Sequence, residues 1–142
     1  PLEKFQHDSG VFDRKSPYTL EGVRASGADF LEEFKPYIED GETIVCSPHK
    51  LYGPQANDLK LQLGKRRVNQ VVIAGMLANM CVESHMRDLL EAGFEVAVVR
   101  DAVAAPKLPD GDGYLAALIN FRFMANAIWS TDETVRKLTN AG

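Results

Sequence analysis

The chain has 142 residues, which is enough for one domain with a buried core. The net charge is −4 and no basic stripe is present, which excludes nucleic acid as an expected partner. No apolar run approaches the length of a membrane helix, so no membrane partner is expected. The two cysteines form no disulfide framework and favour a reducing, cytoplasmic location. We therefore expect a single globular domain over residues 1–142.

The first 27 residues lack a periodic apolar pattern and are punctuated by glycine and proline, which predicts a long irregular arm. Apolar side chains in such an arm need a surface that buries them. Those in this arm are Phe5, Val11, Phe12, Tyr18 and Leu20. A partner subunit and the mouth of an active site are the nearest such surfaces. We therefore predict a homodimer or a larger homo-oligomer.

The next segments predict a short helix, a strand and a second helix. The helix is expected over residues 28–34, because Pro36 follows it. The strand is expected over residues 43–47 and would bury Cys46 as an apolar residue. The second helix is expected over residues 54–65. The polar loop between the strand and the second helix contains His49 and Lys50.

The centre of the chain predicts a strand, a helix and another strand. Residues 71–75 are apolar and largely β-branched without alternation, as in a strand covered on both faces. A helical pattern then begins, with Asn79 as the expected N-cap and Gly93 as the end. Residues 94–101 form the next expected strand. This order predicts a right-handed βαβ unit.

The remainder of the chain predicts a helix over residues 114–123, a strand over residues 127–130 and a terminal helix. A near capping box at residues 131–134 marks the start of the terminal helix. Trp129 and the pair Phe121 and Phe123 are most simply residues of the hydrophobic core.

Cys81 is the residue that points most directly to chemistry. It follows the predicted strand at residues 71–75, and open α/β sheets bind their ligands at the carboxyl ends of such strands. It also falls in the first turn of the predicted helix, where the positive end of the helix dipole stabilises a thiolate. A packed structural cysteine is the alternative, but it would more naturally lie in mid-strand or on the inner stripe of a helix.

The residues around Cys81 resemble the isochorismatase-like cysteine hydrolases, which include nicotinamidases and N-carbamoylsarcosine amidohydrolase. In that family a strand ends in Gly, a short loop follows, and Cys-Val opens a helix. The helix carries an Arg and closes with Gly-aromatic-x-Val before a strand that ends in Asp-Ala. The matching residues are Gly75, Cys81, Val82, Arg87, Gly93, Phe94, Val96, Asp101 and Ala102. We find no alignment to this family for residues 1–27.

The resemblance implies an α/β fold, a three-layer sandwich with a mostly parallel sheet of strand order 3-2-1-4-5-6. Strands 1 and 2 have no apparent counterpart in this sequence. Without them the strand at residues 43–47 would lack a neighbour, and its backbone groups would stay unpaired. We therefore expect that an N-terminal portion is missing. A departure from the family fold is the alternative.

The resemblance also assigns roles to residues. Cys81 would be the nucleophile, and Lys50 would stabilise its thiolate; a solvated surface lysine is the alternative. The amides of Leu77 and Cys81 would form an oxyanion hole, with a cis peptide between Met76 and Leu77. The family's catalytic Asp ends its first strand, and residues 1–43 offer no candidate for it.

Three polar residues are candidates for lining a pocket: His49, Asn79 and His85. His85 lies one turn after Cys81, so it can reach the thiol or a substrate, and packing or a bond to the backbone is equally compatible with its position. His7, His49 and His85 could together hold a metal, as the Asp and two His residues of nicotinamidases do. The Asp-x-His spacing of that site is absent, so we expect neither a metal nor another cofactor.

The resemblance and the residues together predict a thiol hydrolase. Its substrate would be a small molecule with an amide, carbamoyl or ureido C–N bond, cleaved through a thioester. One alternative is an isochorismatase-type vinyl ether hydrolase, a reaction that does not depend on a nucleophilic cysteine. The other is a catalytically inactive interaction domain, which the absent Asp would favour.

Overall fold

The protein is described by a computed structural model over residues 29–46 and 52–140. These residues belong to two compact units, which divide in the chain between Pro48 and His49. The predicted arm, His49 and Lys50 lie outside the described residues. No helix in the described ranges is both long enough and apolar enough to cross a membrane.

Among residues 29–46 of the first unit there is one short helix, α1, over Lys35–Ile38. The helix predicted at residues 28–34 is therefore wrong in position. Pro36 accounts for the difference, because proline fits the first turn of a helix, where its missing N–H is not needed. Lys35 bonds to Glu32 and pairs with Asp29, and these two carboxylates raise its pKa.

The chain after α1 forms a loop that Asp40 organises. Its carboxylate accepts hydrogen bonds from the backbone amides of Thr43, at 2.7 Å, and Glu42, at 2.8 Å, and these bonds hold the pKa of Asp40 below its ordinary value. Residues 43–46 form no strand, contrary to the prediction, and Thr43 at the start of this segment bonds to Asp40 instead. Cys46 is half-buried rather than buried.

The second unit contains most of the regular structure. A 3₁₀ turn at Pro54–Ala56 precedes helix α2 over Leu59–Lys65, so the helix predicted at residues 54–65 is split in two. The remaining helices are a π-helix over Ala78–Val82, α3 over Glu83–Glu91, α4 over Gly113–Met124 and α5 over Thr131–Asn140. The strands are β1 over Gln70–Met76, β2 over Glu95–Ala104, β3 over Lys107–Leu108, β4 over Gly111–Asp112 and β5 over Ala127–Trp129.

The main sheet is parallel, in the order β1-β2-β5. This arrangement confirms the predicted βαβ unit and the chain order of the later strands. The middle strand, β2, is buried from Val96 to Val99, because it has a neighbour on each edge and a helix layer on each face. Strands β3 and β4 form a separate antiparallel hairpin between β2 and α4.

Helices lie on both faces of the sheet around β2 and β5, as in a three-layer α/β fold. On one face the core contains residues of β2, α3 and α4, among them Val98, Met86 and Phe121, each fully buried. On the other face Lys137 of α5 lies over the ring of Trp129, 5.1 Å from its centroid. Cations bind aromatic faces at this distance.

Two packing predictions are wrong. Phe123 is 84% exposed, because it lies on the face of α4 opposite to Ala117 and Phe121. Val72 is 37% exposed, so β1 is not covered on both faces among the described residues. Its neighbours Val71 and Ile73 pack against the core, which follows from the alternation of side chains along a strand.

Candidate active site

The candidate active site begins where β1 ends. The peptide bond between Met76 and Leu77 is cis, as the resemblance implies. The π-helix follows at once and contains Cys81, which is half-buried. Ala78 and Val82 on either side are 0% and 4% exposed, so this turn is anchored in the core. The strand and the buried turn together hold Cys81 at the carboxyl edge of the sheet.

The helix at Cys81 starts in an unusual way. The amide of Val82 donates to the carbonyl of Leu77 at 3.1 Å, a bond that spans five residues and defines a π-turn. Leu77 is the N-cap and no side chain caps this end, so the prediction of Asn79 as N-cap is wrong. π-Turns are rare and are frequent at functional sites.

His85 contacts the segment that contains Cys81 through the backbone. Its Nδ1 lies 2.7 Å from the carbonyl oxygen of Cys81. Because a carbonyl only accepts, Nδ1 must carry the proton, and this fixes the tautomer when the ring is neutral. Of the roles open to His85 in the sequence, the structure therefore shows the bond to the backbone, one turn along the helix from Cys81.

Glu83 joins the Cys81 helix to α4. Its carboxylate accepts from Arg87, at 2.9 and 2.7 Å, and from the amide of Asn120, at 3.1 and 3.0 Å. The side chain of Glu83 is only 13% exposed, whereas that of its i,i+4 partner Arg87 is 52% exposed. The sequence analysis missed Asn120, because its partner is 37 residues away in the chain.

Asn79 packs against the start of α4. A Cβ added to Gly113 would lie 2.8 Å from Nδ2 of Asn79 and 2.9 Å from the carbonyl oxygen of Pro106. Only glycine therefore fits at position 113 without displacing its neighbours. Asp112 caps the same helix by accepting from the amides of Tyr114 and Leu115. Asn79 is exposed and stands two residues from Cys81, as a pocket residue would.

A carboxylate on the neighbouring strand has a structural partner. Asp101 accepts from the backbone amide of Thr131, at 2.7 Å, and from its hydroxyl, at 3.0 Å. Desolvation raises the pKa of Asp101, but the bonds from Thr131 outweigh it and leave the pKa below its ordinary value. Asp101 thus fastens the end of β2 to the start of α5.

The other predicted site residues stay predictions. Lys50 and His49 lie outside the described residues. The amides of Leu77 and Cys81 remain the expected oxyanion donors. Residues 29–46 and 52–140 contain no group of three acidic, Cys or His side chains that could hold a metal, and His7 is not among them.

A groove of about 390 Å³ lies at the opposite end of the sheet from Cys81. It is lined by the first residues of β1 and β2 and by α5. Its charged residues have partners: Glu95 accepts from Gln70 at 2.7 Å, and Lys137 lies over Trp129. Ligands of parallel sheets bind at the carboxyl ends of strands, so the end of β1 that bears Cys81 remains the better candidate.

The comparisons with known proteins point to the same family. The model of the isochorismatase domain matches residues 3–133, so the resemblance extends into the N-terminal residues for which the sequence analysis found no alignment. An uncharacterised isochorismatase family protein, YddQ of Bacillus subtilis, is 27% identical over 111 residues, which are 76% of this chain and 60% of that protein.

Solved structures share the fold. A cysteine hydrolase from Pseudomonas syringae superposes with a TM-score of 0.72 at 20% identity, over 85% of this chain and 61% of that one. A pyrazinamidase/nicotinamidase from Streptococcus mutans gives a TM-score of 0.63 at 26% identity, over 74% of this chain and 60% of that one.

This chain thus spans about 60% of the length of the relatives that it matches. The match nevertheless covers most of the chain and includes the strand, the π-turn and the helix that hold Cys81. The chain belongs to the isochorismatase family.

Proposed function

We propose that the protein is a cysteine hydrolase that cleaves the C–N bond of a small amide, carbamoyl or ureido compound. The observation that carries the proposal is the position of Cys81. It is half-buried in the first turn after β1, at a helix start that no side chain caps. The solved structures that share the fold of this chain include a cysteine hydrolase and a pyrazinamidase/nicotinamidase, which supports the reaction type.

The proposed reaction has two steps. The thiolate of Cys81 attacks the carbonyl carbon, and the C–N bond breaks as the amine leaves with a proton. Water then attacks the thioester and releases the acid and the thiol. The amides of Leu77 and Cys81 would stabilise the oxyanion of each tetrahedral intermediate, and loss of one such donor typically lowers kcat by about 10²–10³.

Lys50 is proposed to stabilise the thiolate. In the family, an Asp transfers a proton to the leaving amine, and residues 1–43 offer no candidate for this Asp. The acylation of Cys81 can therefore be tested separately from the turnover of an amide substrate. An activated ester such as p-nitrophenyl acetate has a leaving group that needs no proton, so it tests Cys81 without depending on the acid.

The experiment is to mix the protein with p-nitrophenyl acetate and to follow p-nitrophenolate release and the intact mass. We expect a burst of one equivalent and one acetyl group on Cys81. The Cys46→Ser variant is the matched control and should keep the burst, because Cys46 belongs to an irregular segment, residues 43–46, in which no helix start is described. Cys81→Ser should abolish it and leave the melting temperature nearly unchanged, since the substitution is small.

The same pair of variants separates the alternatives. For a vinyl ether hydrolase, activity on a vinyl ether would survive in Cys81→Ser. For an inactive interaction domain, neither cysteine would be acylated faster than a free thiol. An equal burst from Cys46 and Cys81 would remove the basis of the proposal.

A further inference from the structure

Helix α4 carries an exposed apolar face. Leu115, Ile119 and Phe123 are 56%, 56% and 84% exposed, and they follow one another at intervals of four residues. Residues at this spacing share one side of a helix. Single exposed apolar residues are ordinary, but a contiguous run of large ones marks an interaction surface.

The opposite side of α4 is already occupied. Ala117 and Phe121 are fully buried in the core, and Asn120 bonds to Glu83 of the helix that follows Cys81. The helix therefore cannot rotate to bury its apolar face without breaking the core. Whatever covers that face must come from outside the unit to which α4 belongs.

We propose that a second copy of this chain covers the apolar face, with the two α4 helices antiparallel about a twofold axis at Ile119. The spacing is symmetric about this residue, because Leu115 precedes it and Phe123 follows it by the same interval. The axis places Ile119 against its own copy and Leu115 of each helix beside Phe123 of the other. A twofold interface requires such self-complementarity.

The charges at the ends of α4 favour the antiparallel arrangement. Asp110 and Asp112 precede the helix, and Arg122 lies in its last turn. Antiparallel packing places the acidic end of one helix beside the basic end of the other, and it also opposes the two helix dipoles. A parallel pair would place like charges together.

The expected association is weak. One helix face buries less than the roughly 800 Å² per partner that stable complexes bury, so we expect dissociation in the micromolar range. The surface differs from the N-terminal arm predicted from the sequence. The inference does not depend on the proposed catalytic activity, because none of its residues takes part in the reaction.

Sedimentation equilibrium of the full chain, from low micromolar to several hundred micromolar, tests the proposal. We expect the mass to rise from 15.7 kDa toward twice that value. Ile119→Asp should stay monomeric at every concentration. Leu138→Asp is the matched control, since Leu138 is a 61% exposed apolar residue on α5, and it should associate like the parent.

Cross-linking tests the position of the axis. In a Cys46→Ser, Cys81→Ser background, Ile119→Cys should form a disulfide-linked dimer under mild oxidation, and Leu138→Cys should not. A parent chain that remains monomeric throughout, or an Ile119→Asp variant that associates like the parent, would overturn the proposal. Equal cross-linking at both positions would do the same. Circular dichroism verifies folding, and Phe123→Lys provides a second variant if Ile119→Asp unfolds.

Discussion

Two helices start at the carboxyl edge of the same sheet, and their first turns are built differently. After β5, Ser130 and Glu133 form a reciprocal capping box: the amide of Ser130 donates to Glu133 at 2.7 Å, and the amide of Glu133 donates to Ser130 Oγ at 3.2 Å. After β1, no side chain caps the helix, and a π-turn carries Cys81.

The two helix starts are expected to serve different purposes, one for the stability of the fold and the other for the reactivity of Cys81. Side-chain caps satisfy the exposed amides at a helix start and contribute to folding. A helix start without a side-chain cap leaves that end of the dipole to act on a bound anion or on a thiolate. We call the start of α5 at Ser130 the capped junction and the helix start at Cys81 the uncapped junction. We therefore expect substitutions at the capped junction to change the stability of the fold alone. Substitutions at the uncapped junction should change the reactivity of Cys81 as well.

The largest expected effect comes from the core beneath both junctions. Phe121 is fully buried, so Phe121→Ala should lower the free energy of unfolding by about 3–5 kcal/mol. Phe123→Ala is the matched control on the same helix, and it should change the free energy by less than about 0.5 kcal/mol. Urea unfolding at low micromolar protein measures both. Equal losses would contradict the one-sided packing of α4, because they would show that both faces contribute equally to stability.

The capped junction offers the next test. Ser130→Ala removes the acceptor for the amide of Glu133, so we expect a loss of about 0.5–2 kcal/mol in the free energy of unfolding. The rate at which iodoacetamide modifies Cys81 should stay the same. A change in that rate would contradict the separation of the two junctions.

The uncapped junction should behave differently in His85→Ala. This change removes the bond from Nδ1 to the carbonyl of Cys81, for which we expect a loss of about 0.5–1.5 kcal/mol. The rate of Cys81 modification should change too, because the bond holds the backbone of Cys81. His85→Asn, which keeps a donor, should recover part of both effects. A stability loss with an unaltered rate would limit His85 to a structural role.

The smallest effect concerns pH. The backbone amide and hydroxyl of Ser130 hold the pKa of Glu133 below its ordinary value. A group whose pKa is lowered by folding contributes stability above its unfolded pKa, and that contribution is lost as the pH falls. Glu133→Gln should therefore melt at a lower temperature than the parent at neutral pH, and the difference should shrink in acid. A difference that grew in acid would contradict this account of the cap.

The sequence predicted β1, β2, α4 and β5 because each has a clear local pattern or clear end signals. It placed the start of the last helix at Thr131, as observed, but it placed the capping box one residue late, since Thr131 also resembles an N-cap and only the contacts identify Ser130. The π-turn at Cys81 was not predicted, because it covers only the five residues of Ala78–Val82, which is too short a segment to show a change in apolar periodicity. The contact between Glu83 and Asn120 depends on tertiary packing, which a local pattern does not encode.

The errors share a cause. The helix expected before Pro36 and the strand expected at residues 43–47 both came from short apolar runs, in which local side-chain bonds outweigh propensity. Phe123 was assigned to the core because it is an aromatic residue. It lies two positions after the buried Phe121, however, and residues two apart on a helix point to opposite sides, so Phe123 is on the exposed side. The prediction that Cys81 is a nucleophile came from its place between a strand and a helix together with the family resemblance of the residues around it.

The central claim is that Cys81 is a nucleophile and that Cys46 is not. The most direct test is competitive labelling of the unmodified protein with limiting iodoacetamide at neutral pH, followed by peptide mass analysis of both cysteines over time. Cys81 lies at a helix start without a side-chain cap and Cys46 lies in an irregular segment, so we expect Cys81 to be modified about tenfold faster or more. Equal rates, or faster modification of Cys46, would contradict the assignment.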